Sequence, residues 1–118
     1  MTRETGFPSP ARGYEAESID LNTLLIPNPP ATFLMRMSGD RLAYRGINDG
    51  DLLVVDRSRP PVPGALTVIR QDGNFMCREL AREHGRAVLL LDAGRVLPLD
   101  EECPVFGTVT AVIRRLAG

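Results

Sequence analysis

Short runs of apolar residues recur along most of the chain, and turns rich in Gly, Pro, Asp or Asn separate them about every 8 to 12 residues. The run 32–37 alternates with a period of two, which predicts a strand with Arg36 on its wetter face. Residues 52–55 are apolar at every position, as expected of a central strand. Five further runs predict strands at 65–70, 74–80, 87–91, 95–99 and 105–116. The pattern predicts a compact, mostly β fold of about seven short strands, either a sandwich or a partly open barrel.

Local signals add one short helix and two changes of chain direction. Asp20 is suited to cap a helix over 21–26, and Pro27 ends it because proline cannot continue the hydrogen-bond ladder. The pair Asp72 and Gly73 predicts a hairpin, since both residue types tolerate positive φ. Gly107 predicts a bend within the last strand.

The stretch 38–56 contains the most concentrated polar signal. It reads Ser-Gly-Asp-Arg at 38–41 and Asp-Gly-Asp at 49–51, two turns on either side of a short linker, followed by the central strand. Glycines at 39, 46 and 50 permit positive φ in these turns. Turns placed at strand ends present their side chains to a common surface, so we expect the functional residues here.

Length and composition limit the function classes. The chain has 118 residues, and we expect 1–17 to form a flexible N-terminal arm and 18–118 a single β domain. A net charge of −1 gives no basic surface for a phosphate backbone, which argues against direct sequence-specific nucleic-acid binding. No apolar run approaches the roughly 20 residues of a membrane span and no signal peptide follows Met1, so we expect a cytoplasmic protein without membrane contact.

The sequence offers few side chains suited to catalysis or metal binding. Cys77 and Cys103 are expected to be reduced, buried thiols, and together with the lone His84 they give no zinc spacing, so neither a metal nor a cofactor is expected. All 14 basic side chains are arginine, and the chain contains no lysine. Arginine stays protonated near neutral pH, so the sequence excludes a Ser/Lys dyad, a Schiff base and a P-loop lysine.

Segments spread over nearly the whole chain resemble, in the same order, the UmuD and LexA family of self-cleaving Ser/Lys peptidases, and UmuD in particular. The matching segments are Gly6-Phe-Pro-Ser-Pro-Ala11, Ile19-Asp-Leu-Asn22, Leu24-Leu-Ile26, Ala31-Thr32, Ser38-Gly-Asp40, Gly46-Ile47, Asp49-Gly-Asp-Leu-Leu53, Val55-Asp56, Asp72-Gly73, Phe75 and Val105-Phe-Gly107. Each is weak alone, but their order and spacing make the match specific. The resemblance implies the β fold of the UmuD and LexA C-terminal domain.

The departures from the family concern the catalytic dyad. The family's pattern Ser-Gly-Asp-Ser-Met carries the nucleophile in fourth place, where this chain has Arg41, and the lysine position falls on Arg78. The resemblance therefore implies an inactive peptidase homologue with vestigial dyad positions. Ser38 is not expected to replace the nucleophile. The cleavage motif reads Thr-Gly-Phe-Pro-Ser-Pro at 5–10, close to Met1, so the sequence resembles UmuD′, the processed form.

What the resemblance implies about function is a non-catalytic accessory subunit of an SOS-response, error-prone Y-family DNA polymerase acting in translesion synthesis after DNA damage. It also implies a homodimer and, as further partners, the RecA filament and replicative polymerase subunits. The alternatives are a detached dimerisation domain of a LexA-like or phage repressor, or a residual hydrolase. A hydrolase could draw on Asp49, Asp51 and Asp56, although acids beside glycine more often form turns.

The resemblance implies that Arg41 and Arg78 lie within contact distance, at the positions of the family's dyad. Two like charges about 4 Å apart repel by roughly 4 kcal/mol at an effective dielectric of about 20. The guanidinium groups therefore splay into water, find an acid of this chain, or hold an anion or a partner's carboxylate. An acid of this chain is the preferred expectation, and Asp40 and Glu79 are the sequence-adjacent candidates, although a strand aims Glu79 away from Arg78.

Overall fold

The computed structural model describes residues 20–100 and 103–117, so the predicted arm 1–17 lies outside the described residues. The elements are a helix, α1 (Leu21–Leu25), and seven strands: β1 (Thr32–Arg36), β2 (Leu52–Asp56), β3 (Leu66–Gln71), β4 (Asn74–Glu83), β5 (Arg86–Leu90), β6 (Val96–Pro98) and β7 (Val105–Ile113). No helix in this part of the chain is long and apolar enough to cross a membrane. The predicted mostly β fold of seven short strands and one helix is confirmed.

All seven strands belong to one antiparallel sheet in the order β1-β2-β7-β3-β4-β5-β6. Phe33 of β1 and Phe75 of β4 both contact the ring of Phe106 on β7, which lies between these two strands in the sheet. Strands two places apart on either side of β7 can meet in this way only if the sheet is strongly curved. The ring centroids lie 5.2 Å and 4.9 Å apart, in edge-to-face geometry. Of the two predicted architectures, this curvature favours the partly open barrel.

The curved sheet buries residues on both faces. Val68 and Ile69 are consecutive on β3 and therefore point to opposite faces, and each is almost fully buried. The cluster on one side contains Met37, Leu42, Ile47, Leu53, Val55, Leu66, Val68 and Phe106. The cluster on the other side contains Ile69, Leu80, Leu89 and Cys103. Two-sided burial explains why the central strands are apolar at successive positions.

Turn chemistry explains the strand boundaries. Asp72 and Gly73 have φ of 53° and 80°, so the predicted hairpin between β3 and β4 is confirmed. A second two-residue hairpin, at His84 and Gly85 with φ of 52° and 78°, joins β4 to β5. The sequence pattern gave no signal for it, because histidine is a less usual residue at positive φ than Asn or Asp. Strand β4 consequently runs to Glu83, beyond the predicted end at residue 80.

The first helix and Gly107 also agree with their predictions. The Asp20 carboxylate accepts from the Thr23 N–H at 3.2 Å, as expected of an N-cap. The register between β3 and β7 shifts beside Gly107, which is the predicted bend. A Cβ at this position would lie 2.7 Å from Cγ1 of Val55, so the close approach of β7 to β2 requires glycine.

An ion pair between Arg114 and Asp51 joins the end of β7 to the turn that precedes β2. Arg114 donates to both carboxylate oxygens of Asp51, at 2.7 Å and 2.6 Å, and also to the Gly46 carbonyl at 2.7 Å. Asp51 is buried and accepts a further bond from the Asn48 N–H. These hydrogen bonds, that from Arg114 foremost, lower the pKa of Asp51 from 3.8 to about 2. The pair therefore holds the polar stretch 46–51 against the last strand.

We expect Asp51→Asn to lower the melting temperature at pH 7 and to have little effect at pH 2. The native pKa of Asp51 lies below its ordinary value, so its stabilisation is present above about pH 4 and is lost as the pH falls towards 2. Thermal unfolding followed by circular dichroism from pH 7 to pH 2 measures this. Asp72→Asn is the matched control, because asparagine also suits a positive-φ turn. An equal loss of stability at both pH values would contradict the assignment.

Candidate functional site

The two predicted turns of the stretch 38–56 are bonded to each other. The Gly39 N–H donates to Oδ1 of Asp49 at 2.8 Å. Gly39 and Gly50 both have φ of 91°, a conformation that residues with a side chain rarely adopt. These contacts fix the backbone on either side of the exposed residue Arg41. The position that the resemblance assigns to the nucleophile therefore follows a well-defined turn at the end of β1.

Arg41 forms an ion pair with Asp92, and both side chains are about half exposed, at 52% and 51%. Asp92 lies in the turn after β5, far from Arg41 along the chain. The sequence-adjacent candidates are wrong. Asp40 forms no ion pair with Arg41 in the described ranges, and Glu79 instead accepts from the Tyr44 hydroxyl at 2.9 Å and pairs with Arg45 at 3.3 Å.

Arg78, on β4, has a different environment. Burial lowers the pKa of its guanidinium, and the nearby positive charge of Arg41 lowers it further. Its Nη1 donates to the neighbouring Cys77 carbonyl at 2.9 Å. Its Nε is buried and has no hydrogen-bond partner within residues 20–100 and 103–117. The structure thus brings Arg41 and Arg78 near each other, with an acid on Arg41 and none paired with Arg78 in those ranges.

A groove of about 230 Å³ lies in front of Arg78. One wall comes from the end of β1 and the turn after it, the other comes from β4, and residues of β2 and β3 form the floor. The lining residues are Met35, Arg36, Met37, Ser38, Leu53, Val68, Phe75, Met76, Cys77 and Arg78. The groove is mainly apolar, and two arginines, Arg36 and Arg78, are among its lining residues. Arg36 was predicted only as the wetter face of a strand, so its place in the groove was missed.

Among the described residues that line the groove, no hydrogen bond joins a Ser or Cys side chain to a base. Ser38 lies in its wall, but the chain has no lysine, and His84 sits in the β4–β5 hairpin, six residues or roughly 20 Å along the strand from Arg78. Burial raises the pKa of the Cys77 thiol to about 12, so this thiol stays protonated near neutral pH. Within the described residues, neither the half-buried Cys77 nor the buried Cys103 forms a disulfide.

Each of the three acids considered for a hydrolase takes part in hydrogen bonds with other residues of the fold. Asp49 accepts from Gly39, Asp51 pairs with Arg114, and Asp56 accepts from the N–H and hydroxyl of Ser58 at 2.8 Å and 2.6 Å. These contacts agree with their interpretation as turn-forming residues. Within the ranges the structure describes, no three His, Cys, Asp or Glu side chains come together as a metal site.

Comparisons with known proteins agree with the fold. The family model described as Peptidase S24-like matches residues 3–110. SamA of Salmonella typhimurium strain LT2 is 38% identical over 110 residues, which cover 93% of this chain and 79% of SamA. ImpA of Escherichia coli is 38% identical over 115 residues, covering 95% and 79%. MucA of Escherichia coli is 35% identical over 101 residues, covering 86% and 64%.

Proposed function

Because this chain belongs to the peptidase S24-like family, we propose that it is a UmuD-like member that keeps the family's fold without its cleavage chemistry. We propose further that it serves as a non-catalytic accessory subunit of an SOS-response, error-prone Y-family DNA polymerase in the cytoplasm. One observation carries the proposal. Arginines occupy both positions that the resemblance assigns to the dyad, Arg41 and Arg78. Arg78 lines the groove, and the charge of Arg41 lies near it.

The chemistry of these two residues supports a non-catalytic role. Acyl transfer needs a nucleophile and a base that can accept its proton. A guanidinium is not a nucleophile, and arginine stays protonated near neutral pH, so it cannot serve as a general base. In addition, Asp92 holds Arg41 as an ion pair. The same residues that remove the chemistry leave a charged, partly apolar surface that suits binding.

The polymerase role rests on the resemblance to UmuD, which covers nearly the whole chain. The family matches to SamA, ImpA and MucA support it, because each spans most of the chain and includes the stretch 38–56. The partners in this proposal are the Y-family polymerase, the RecA filament and replicative polymerase subunits. A detached repressor dimerisation domain would share the fold but would not bind the polymerase.

We expect the tagged full chain to co-purify with the Y-family polymerase of its source organism after both are expressed together. The complex is measured by size-exclusion chromatography with in-line light scattering. An unrelated DNA polymerase of the same organism is the control for nonspecific binding. Separate elution of the two proteins at micromolar concentration would contradict the accessory role and favour the repressor-domain alternative.

We also propose that the protein forms a symmetric homodimer through β7. This strand pairs with β2 along Thr108 to Ile113, but with β3 only from Val105 to Thr108. One edge of residues 109–113 therefore lacks a strand partner in the described part of the chain. Val112 on this segment is 39% exposed, although it is apolar. Unpaired edges are association sites, and two copies of one edge can pair about a twofold axis.

We expect a dimer at tens of micromolar, and we expect Val112→Glu to weaken it by at least about tenfold, because the twofold axis brings two like charges together. Light scattering and sedimentation velocity measure the assembly. Leu34→Glu, on the exposed side of the outer strand β1, is the matched control and should leave the dimer unchanged. A monomeric wild type would contradict the dimer, and loss of the dimer only with Leu34→Glu would place the interface on β1.

A further inference from the structure

Two strand edges without partners border the groove in front of Arg78. β1 is the first strand of the sheet and, within residues 20–100 and 103–117, pairs only with β2. β4 pairs with β5 only from Leu80 to Glu83, so residues 74–79 have one edge unpaired in the described part of the chain. Backbone N–H and C=O groups on such edges accept an added extended segment. The groove therefore has the shape and the backbone partners for a peptide.

The charges around the groove are not balanced within the described ranges. Arg41, Arg45 and Arg114 each pair with a carboxylate. Arg36 and Arg78, the two arginines that line the groove, form no ion pair in those ranges. Arg36 makes a single hydrogen bond, from Nη1 to the Gly50 carbonyl at 2.8 Å. Two arginines thus line one small groove, and neither has an anion of its own in the described ranges.

Arg78 is the more constrained of the two. Its Nε is buried without a hydrogen-bond partner in the described ranges, although a buried N–H is normally bonded. The charge of Arg41 lies close by and disfavours a second cation at this place. A carboxylate in the groove would relieve both, because it offers an acceptor to Nε and a negative charge to the pair. Guanidinium groups bind carboxylates through two parallel hydrogen bonds.

We propose that this groove binds an extended, acidic segment of a partner protein, with one Asp or Glu carboxylate received by Arg78 and Arg36. The apolar neighbours of that acid pack on Met35, Phe75 and the groove floor. The unpaired edges of β1 and β4 bond its backbone. The lost dyad has thus become an anchor for a carboxylate.

A peptide suits the groove better than other anions do. Strand edges pair with a peptide backbone, which neither a free phosphate nor a nucleic acid provides. The floor of Leu53 and Val68 favours apolar side chains beside the charge. A net charge of −1 also disfavours a polyanion over a single carboxylate. This inference does not depend on the polymerase role, so a peptide test and the co-purification test can fail separately.

The experiment is a titration of the isotope-labelled full chain with two blocked synthetic peptides, followed by two-dimensional NMR. The peptides are Thr-Val-Thr-Val-Glu-Val-Thr-Val and the same sequence with Gln in place of Glu. At low salt we expect the Glu peptide to bind at least about fivefold more tightly and to shift amide signals of β1 and β4. Arg78→Met should abolish this preference, since the fork that receives the carboxylate is gone.

Arg82→Met is the matched control, because Arg82 lies on the same strand, is exposed and does not line the groove. It should keep the full preference for Glu. If Arg78→Met does not fold, Arg78→Lys and Arg36→Met replace it, and each should reduce the preference at least about twofold. Equal binding of the two peptides by the wild type, binding of neither, or an unchanged preference in the folded Arg78 and Arg36 variants would overturn the proposal.

Discussion

The packing of Phe106 is the contact on which the shape of the molecule depends. Phe106 belongs to β7, and the rings of Phe33 and Phe75 contact it from strands on either side. The Arg57 guanidinium lies 4.3 Å above the same ring, which adds a cation–π contact. Each edge-to-face aromatic pair is worth about 0.5–1.5 kcal/mol beyond its buried area. These contacts hold the sheet in its curve, and the curve places β1 opposite β4 across a groove.

The same geometry explains the distribution of charge. Where the sheet curls, the turn after β1 brings Arg41 towards Arg78, so two positive charges lie near each other at the positions that the resemblance assigns to the dyad. The two arginines have different environments. Arg41 turns outward to Asp92, whereas Arg78 stays partly buried with an unsatisfied Nε in the described ranges. Arg78 therefore keeps a hydrogen-bond donor without a partner in the part of the chain that the structure describes, and it also lines the groove.

The local parts of the fold follow from short-range chemistry and could be predicted. The Asp20 cap, the hairpin at Asp72 and Gly73, and the bend at Gly107 each depend on a few neighbouring residues. The ion pair between Arg41 and Asp92 joins residues that only the curled sheet brings together, so no local pattern could reveal it. The position of Arg36 beside Arg78 depends on the same curvature.

The groove and the contacts of its arginines thus depend on tertiary structure. The sequence alone indicates which residue types are present but not which of them lie together. The sequence contains no lysine, which predicts that the family's Ser/Lys dyad is missing. The central claim is that a peptidase scaffold has been kept while only its reacting groups have been replaced.

The most direct test compares the wild type with the double variant Arg41→Ser and Arg78→Lys, each incubated at alkaline pH with a peptide containing Ala-Gly-Phe-Pro-Ser-Pro. Alkaline pH is used because the family's base is a neutral lysine. Intact-mass spectrometry of peptide and protein records any cut at the Ala–Gly bond. The wild type should leave the peptide and itself uncut, and the double variant should cleave the peptide. Specific cleavage by the wild type, or a folded double variant that stays inert, would contradict the central claim.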